Sequence, residues 1–176
     1  MKIARRILIV AGVLVAVFLV GAALIPSTYK VERVATINAP AAKIYALIAD
    51  PRAWTRWSVW NQREPNMKLE FSGPASGQGA KWAWEGKDGK GNMEFVAARP
   101  DQSIEYALAF PDMGMSSRGA FTLAPAGNAT RVSWTNEGDV GRNPLMRWFV
   151  PFMDSMMGPD FEGGLANLKA LAEKQP

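Results

Sequence analysis

Neither cysteine nor histidine occurs in the 176 residues. Their absence removes the Ser-His-Asp triad, the thiolate nucleophile and any zinc site built from imidazole or sulfur. Acid-base work would fall to Asp, Glu, Lys or Tyr, and a carboxylate must be pushed upward by burial or neighbours before it operates near neutrality. The expectation therefore leans away from an enzyme, with no cofactor and no metal. No disulfide can brace the fold, so stability has to come from an apolar core, which about 150 residues can supply.

A strong charge imbalance is also lacking. The net charge is +4, but with Lys2, Arg5 and Arg6 set aside 17 basic residues face 16 acidic ones, leaving +1. A nucleic-acid binder shows a basic face or stripe. No Lys/Arg cluster of that kind follows the N-terminus, so nucleic acid is not an expected partner.

What is present begins with ILIVAGVLVAVFLVGAALI, Ile7 to Ile25, nineteen residues without a charge. As a helix it would be roughly 28 Å long against a hydrocarbon core of about 30 Å. The preceding Lys2, Arg5 and Arg6 favour the cytoplasmic side, which places the remainder in the periplasm or outside the cell. Small residues at Gly21-Ala22-Ala23 keep a cleaved signal peptide open as the alternative, although the run exceeds the roughly 7–15 apolar residues usual there. Either reading exports the domain. The expected organisation is residues 1–27 as cytoplasmic flank and single-pass inner-membrane anchor, and 28–176 as one ligand-binding domain.

Tyr29 to Ile37 alternates with period two and reads as a strand. Pro40 opens a helix carrying Ile44, Leu47 and Ile48 on one face, and Asp50-Pro51 starts a second that bears Trp54 and Trp57. Six further strands follow: Lys68–Ser72, Ala80–Glu85, Asn92–Ala98, Ser103–Phe110, Arg118–Ala124 and Thr130–Glu137. Turn residues such as Asp88-Gly89 and Ala126-Gly127-Asn128 separate them, which argues for an antiparallel meander. Alternation puts Trp82, Trp84, Met93, Phe95, Ile104, Tyr106, Leu108, Phe110, Phe121, Leu123, Val132, Trp134 and Asn136 on an apolar face. The opposite face carries Lys81, Glu85, Glu94, Glu105, Arg131, Ser133, Thr135 and Glu137. Asn143 to Met157, with Pro144 near its start and Pro151 inside it, reads as a helical segment that is bent or broken. A final helix is expected from Gly158-Pro159, with Phe161, Leu165, Leu168 and Ala172 as its stripe.

TYKVERVATINAPAAKIYALIADPRAWTRWSVW, the stretch SGPASGQGAKWAWEG, ATRVSWTNEGD and the ending DFEGGLANLKALAE resemble the membrane-anchored bacterial polyketide cyclase/dehydrase and lipid transport proteins of the SRPBCC, or START-like, superfamily. The likeness runs from Thr28 to Glu173. It implies an α+β helix-grip fold, a curved antiparallel sheet of about seven strands wrapped around a long C-terminal helix, with a deep apolar cavity between them. Fold does not fix function.

Within that fold WTRWSVW would wall one end of the cavity, with Trp60 beyond the helix end closing an opening. Rings at helical spacing also serve simple packing. Candidate ligand contacts are Trp57, Trp60, Trp82, Trp84, Met93, Tyr106, Phe110, Trp134, Asn136, Met153 and Met156. The rings and the adaptable thioethers suit an apolar ligand, and Asn136 would be an orienting group or a residue satisfied by backbone or water. The glycine-rich stretches Gly73–Gly79 and Gly86–Gly91 do not join a strand to a helix, so they read as hairpin connections rather than phosphate cradles. Arg142, Arg147 and Trp148 combine basic and aromatic character that suits a bilayer surface, though a solvated helix face accounts for them as well.

Three functions follow. The leading expectation is a membrane-tethered module binding a hydrophobic small molecule or lipid. A cyclase/dehydratase-like enzyme would need a buried titratable residue facing the cavity, and an envelope protein-interaction module would act through its outer surface with a protein partner that is unknown.

Overall fold

Period-two alternation builds seven strands: β1 Thr28–Ile37, β2 Lys68–Ser72, β3 Lys81–Gly86, β4 Gly89–Arg99, β5 Ser103–Phe110, β6 Met115–Ala126 and β7 Ala129–Asp139. They form one antiparallel sheet in the order β1-β7-β6-β5-β4-β3-β2. Strands β2 to β7 are a meander, and β1 returns to pair with β7 from Thr28↔Asp139 to Ile37↔Thr130. These relationships come from a computed structural model that describes residues 2–87 and 89–174, so the expected Asp88-Gly89 turn lies partly outside the described residues. A register shift between Phe95 and Ala97 bends β4, as an extra residue in one strand does.

Helix α1 spans Lys2–Leu24 and is long and apolar enough to cross a membrane, as an anchor or as a signal sequence. Its side chains are mostly uncovered by the domain, with Ala22 buried near the end. Helix α2, Ala41–Ala49, buries Ile44 and Ile48 against the sheet. Asp50 then caps a 3-10 helix, Pro51–Arg56, by accepting from the Arg52 amide at 2.8 Å. A third short helix, α3 Val59–Arg63, follows. Trp60 therefore rides on its own helix rather than lying beyond a helix end.

At the C-terminus a single turn, α4 Pro144–Arg147, is capped by Asn143. A 3-10 turn at Val150–Phe152 carries Pro151, where the break was expected. The final helix α5 runs Met153–Ala172, with Pro159 inside it. The expected start at Gly158-Pro159 is thus corrected by five residues. Pro159 is exposed, so the helix continues past the one amide it lacks.

Helix α5 lies along β1, held by Lys169 to the Thr36 carbonyl at 2.6 Å and by Glu173 to the Asn38 amide at 2.7 Å. Its Phe161, Leu165, Leu168 and Ala172 are buried in the cluster formed by Val31, Ile37, Ile104, Phe121, Val132 and Trp134 of the sheet.

Candidate functional site

The tryptophans of WTRWSVW have a local task. Helix α2 ends without partners for its last carbonyls, and two indoles supply them: Trp54 Nε1 donates to Ile48 at 2.8 Å and Trp57 Nε1 to Leu47 at 3.0 Å. Both rings are then buried under the sheet, with centroids 4.6 Å apart. Trp54 also meets Trp82, Tyr106, Phe121 and Trp134.

These rings occupy the space that the family resemblance assigned to a deep cavity. Phe161 of α5 stacks on Trp134 at 4.1 Å, and Trp134 stacks on Phe121 at 4.7 Å, so sheet and helix touch through a continuous aromatic pile. The physical reason is volume. Four of the chain's seven tryptophans, Trp54, Trp57, Trp82 and Trp134, point into one interior, and interiors pack to crystal-like density. Two concavities, of about 380 and 400 Å³, are open to the outside: the first is lined by Thr55, Glu64, Pro65 and Leu69, the second runs across β2–β4.

At one end of the sheet the inner face is only partly covered. Where β1 and β6 begin and β5 and β7 end, Tyr29, Trp84, Leu108, Phe110 and Met115 share the inner face and are only half-buried. Trp84 meets Phe110 edge-on at 5.8 Å. Three aromatic side chains there each lie across a glycine on the neighbouring strand: Trp84 over Gly91, Tyr106 over Gly119 and Tyr29 over Gly138. A β-carbon at any of the three would overlap the ring above it.

Behind this apolar rim sits a polar cluster. Asn136 Nδ2 donates to Ser117 Oγ at 3.1 Å and to the Tyr106 hydroxyl at 3.4 Å. That hydroxyl accepts from Trp134 Nε1 at 2.9 Å and donates to the Thr135 carbonyl at 3.3 Å. Burial pushes the Tyr106 phenol up to about 12, partly opposed by its bonds from Asn136 and Trp134, so near neutrality it is a donor and not a base. Burial also raises Tyr29, offset in part by a hydrogen bond with Ser117. Asn136 Oδ1 is buried and has no partner among the described residues. An acceptor left in that state costs about 1–3 kcal/mol.

Two ion-pair sites flank α5. Arg33 faces inward from β1 and donates to Asp154 at 2.8 Å and to Glu162 at 2.6 Å. These bonds raise the guanidinium and hold the Asp154 carboxyl below its ordinary range. Arg63 of α3 grips the buried Asp160 with two nitrogens, one at 2.9 Å.

The expected contact residues therefore separate by location. Trp57, Trp82, Met93, Tyr106, Trp134 and Met153 are buried, the first and fifth as central core. Trp84 and Phe110 lie at the half-open strand ends, and Asn136 lies beside them through Ser117, which pairs with Leu108. Trp60, 37% exposed, lies edge-on against Trp134 and Phe161. Met156 is 59% exposed and points out of the grip, one helical position off the buried stripe, so its placement as a lining residue is corrected. Ser117, Tyr29 and Arg33 were not expected. Period two counted from Val31 would have placed Arg33 inside; Ser117 fell in the presumed turn before β6.

The expected bilayer group also has a defined contact. Arg147 Nη1 lies 3.3–3.5 Å from the carbonyls of Ala22, Ala23 and Ile25, at the C-terminal end of α1. Trp148 covers Gly21, donates to the Phe18 carbonyl at 3.3 Å and stacks on the Phe18 ring at 5.9 Å.

Residues 28–173 match the family described as polyketide cyclase / dehydrase and lipid transport. Among solved structures, a protein from Chromobacterium violaceum is similar at 20% identity, covering 85% of this chain and 99% of its own, with a TM-score of 0.60. Truncated norcoclaurine synthase from Thalictrum flavum aligns at 15% identity over 85% of this chain and 96% of its own, with a TM-score of 0.62. The di-domain ARO/CYC BexL aligns at 17% identity over 85% of this chain and 52% of its own, with a TM-score of 0.61. At these identities the likeness is one of fold, the helix grip. No curated protein matches the sequence.

Proposed function

Because the chain belongs to the polyketide cyclase/dehydrase and lipid transport family, we propose that it is a membrane-tethered module that holds a hydrophobic small molecule or lipid at the half-open end of its grip. The N-terminus is cytoplasmic, α1 is the anchor, and the domain from residue 28 onward is periplasmic or extracellular. One observation carries the reading: a buried, unpartnered Asn136 Oδ1 stands behind the half-buried side chains of Trp84, Leu108, Phe110 and Met115. An apolar wall with a single convergent polar atom is how small-molecule sites combine affinity with orientation. A ligand hydroxyl or amide would give Asn136 the donor it lacks. Retention of α1 is supported by Arg147 and Trp148, whose partners on Phe18, Ala22 and Ala23 would be lost with the helix.

The test is native mass spectrometry of the full chain released from its membrane in mild detergent. An apolar adduct is expected, lost in Trp84→Ala and in Phe110→Ala and kept in Val34→Ala on the outer face. A chain without adduct, or one that keeps it in both rim variants, would overturn the reading.

A cyclisation activity is the second reading, favoured by the hydroxyl pair of Tyr106 and Ser117 joined through Asn136. A protonated phenol that turns its O–H from the Thr135 carbonyl to a substrate carbonyl can polarise it while the walls keep a flexible chain folded, and positioning alone contributes several kcal/mol. Turnover that survives Tyr106→Phe unchanged would exclude it.

A further inference from the structure

Beside α1 the domain exposes an apolar patch that its own fold leaves uncovered. Leu145 is 58% exposed, Phe149 43%, Phe152 57% and Met156 59%, and Trp148 joins them at 39%. All five come from the short stretch formed by α4, the Val150–Phe152 turn and the start of α5. Scattered surface hydrophobics need no explanation, but a contiguous set does.

The depth of this patch is set by where it touches α1. Trp148 packs on Phe18 and Gly21. Counting from Ile25, those residues lie roughly 10 and 6 Å along the helix from the end of the apolar run, at about 1.5 Å per residue. If α1 spans a bilayer, the ring is level with the zone some 5–10 Å below the surface where amphipathic segments rest. Arg147, one residue earlier, reaches the carbonyls of Ala22, Ala23 and Ile25 nearer the helix end, at headgroup level. Tryptophan and arginine are the residue types that favour those two depths.

We infer that residues 145–156 form an interfacial plate that dips into the leaflet where α1 ends and seats the domain with the open end of its grip against the bilayer. The sheet supplies the second half of the argument. Thr28, the first residue of β1, follows α1 by a few residues and pairs with Asp139, and Ser117 pairs with Gly138. Phe110 pairs with Met115 and Gly86 with Gly89 at the same end. The Trp84–Phe110 rim and the Asn136 cluster are therefore at the α1 end of the sheet, while the β6–β7 turn at Asn128 is at the far end. A molecule dissolved in the membrane could pass between leaflet and rim without crossing water. The inference rests on the tethered reading above, and deepens it by naming the source of the ligand as the bilayer itself.

The absence of cysteine makes the test direct, since single cysteines can be spin-labelled in the full chain. The full chain is reconstituted in phosphatidylcholine–phosphatidylglycerol vesicles, with labels at Leu14→Cys, Asn128→Cys, Phe149→Cys and Phe152→Cys. Accessibility to oxygen is compared with accessibility to a water-soluble nickel chelate. The expected ratio is highest at Leu14, lowest at Asn128, and intermediate at positions 149 and 152, several-fold above Asn128. If Leu14 is embedded while 149 and 152 match Asn128, the plate is overturned and the tether stands. If Leu14 is itself water-accessible, the tether and the plate fail together. Leu145→Cys, read in the same way, replaces either phenylalanine variant should it not fold.

Discussion

Arg33 on β1 and Gly158 on α5 share one space. The guanidinium lies where a β-carbon at position 158 would be, and from there it reaches Asp154 one turn earlier and Glu162 one turn later. Glycine inside a helix is ordinarily unfavourable by about 1 kcal/mol relative to alanine. Here an added β-carbon would push the guanidinium, the mobile end of Arg33, off its bonds to Asp154 and Glu162. Both carboxylates are largely exposed, and such pairs are worth roughly 0–1 kcal/mol each, about what alanine gains. Gly158→Ala is therefore expected to leave the melting temperature unraised, whereas in an Arg33→Ala background the same change should raise it; thermal melts of the four proteins in the cycle test it. Additive effects would show that the two positions are independent.

Acid should loosen the same clamp. The Asp154 carboxyl is held below its ordinary value by Arg33. A depressed folded value means its contribution is present above the unfolded pKa and disappears as pH falls through the folded one. Melting temperature should therefore decline below about pH 4, and Asp154→Asn should show a shallower decline there than the unaltered chain. Parallel pH profiles would remove Asp154 from the account.

At the alkaline side the buried phenol governs. Tyr106 is raised to about 12 by burial, whereas the unfolded chain ionises near 10. Its neutral form is thus favoured in the fold, so its contribution is complete below about pH 10 and is lost between about 10 and 12. The loss corresponds to about 2–3 kcal/mol at about 1.4 kcal/mol per unit. Tyr106→Phe should be less stable at neutral pH, having lost its bonds to Trp134 and Asn136, yet flatter across that alkaline window in denaturant titrations. A slope identical to that of the unaltered chain would contradict the burial of this hydroxyl.

The indole caps of α2 give a separate expectation. Phenylalanine at position 54 or 57 keeps most of the ring contact but leaves the Ile48 or Leu47 carbonyl without its donor. Each substitution should cost about 1–3 kcal/mol, while leaving any bound apolar molecule in place. Loss of the adduct with unchanged stability would return these tryptophans to the binding site.

Sequence patterning made the sheet legible because its inner and outer faces differ so clearly: Ile104, Tyr106 and Phe121 against Glu105, Arg131 and Glu137. The order of elements and the stripe on α5 followed from the same periodicities. Two features resisted. Pro159 reads as a helix start, yet it is exposed and the helix already begins at Met153, with Arg33 gripping Asp154 in its first turn. The filled interior was the other, since periodicity says which rings point inward but not how much volume they share. Asn136 was recognisable as the odd polar residue on an apolar face; that half of its amide would lack a partner depended on Ser117 and Tyr106, which only the fold brings together.

The joint between α1 and the domain admits a ranking of its two main residues. Arg147 spreads one nitrogen over three carbonyls at 3.3–3.5 Å, distances at which each bond is weak. Trp148 instead buries part of an indole on Gly21 and Phe18, and apolar area contributes about 25 cal/mol per Å². The tryptophan should therefore hold the joint more firmly than the arginine. Proteinase K nicking between Leu24 and Thr28 in vesicles reports how often that joint opens, because the rate follows the population of the open form when reclosing is fast. Trp148→Ala is expected to speed release of the domain several-fold, and Arg147→Ala to speed it less. Equal release from all three proteins would mean that the domain and its helix are joined by the chain alone.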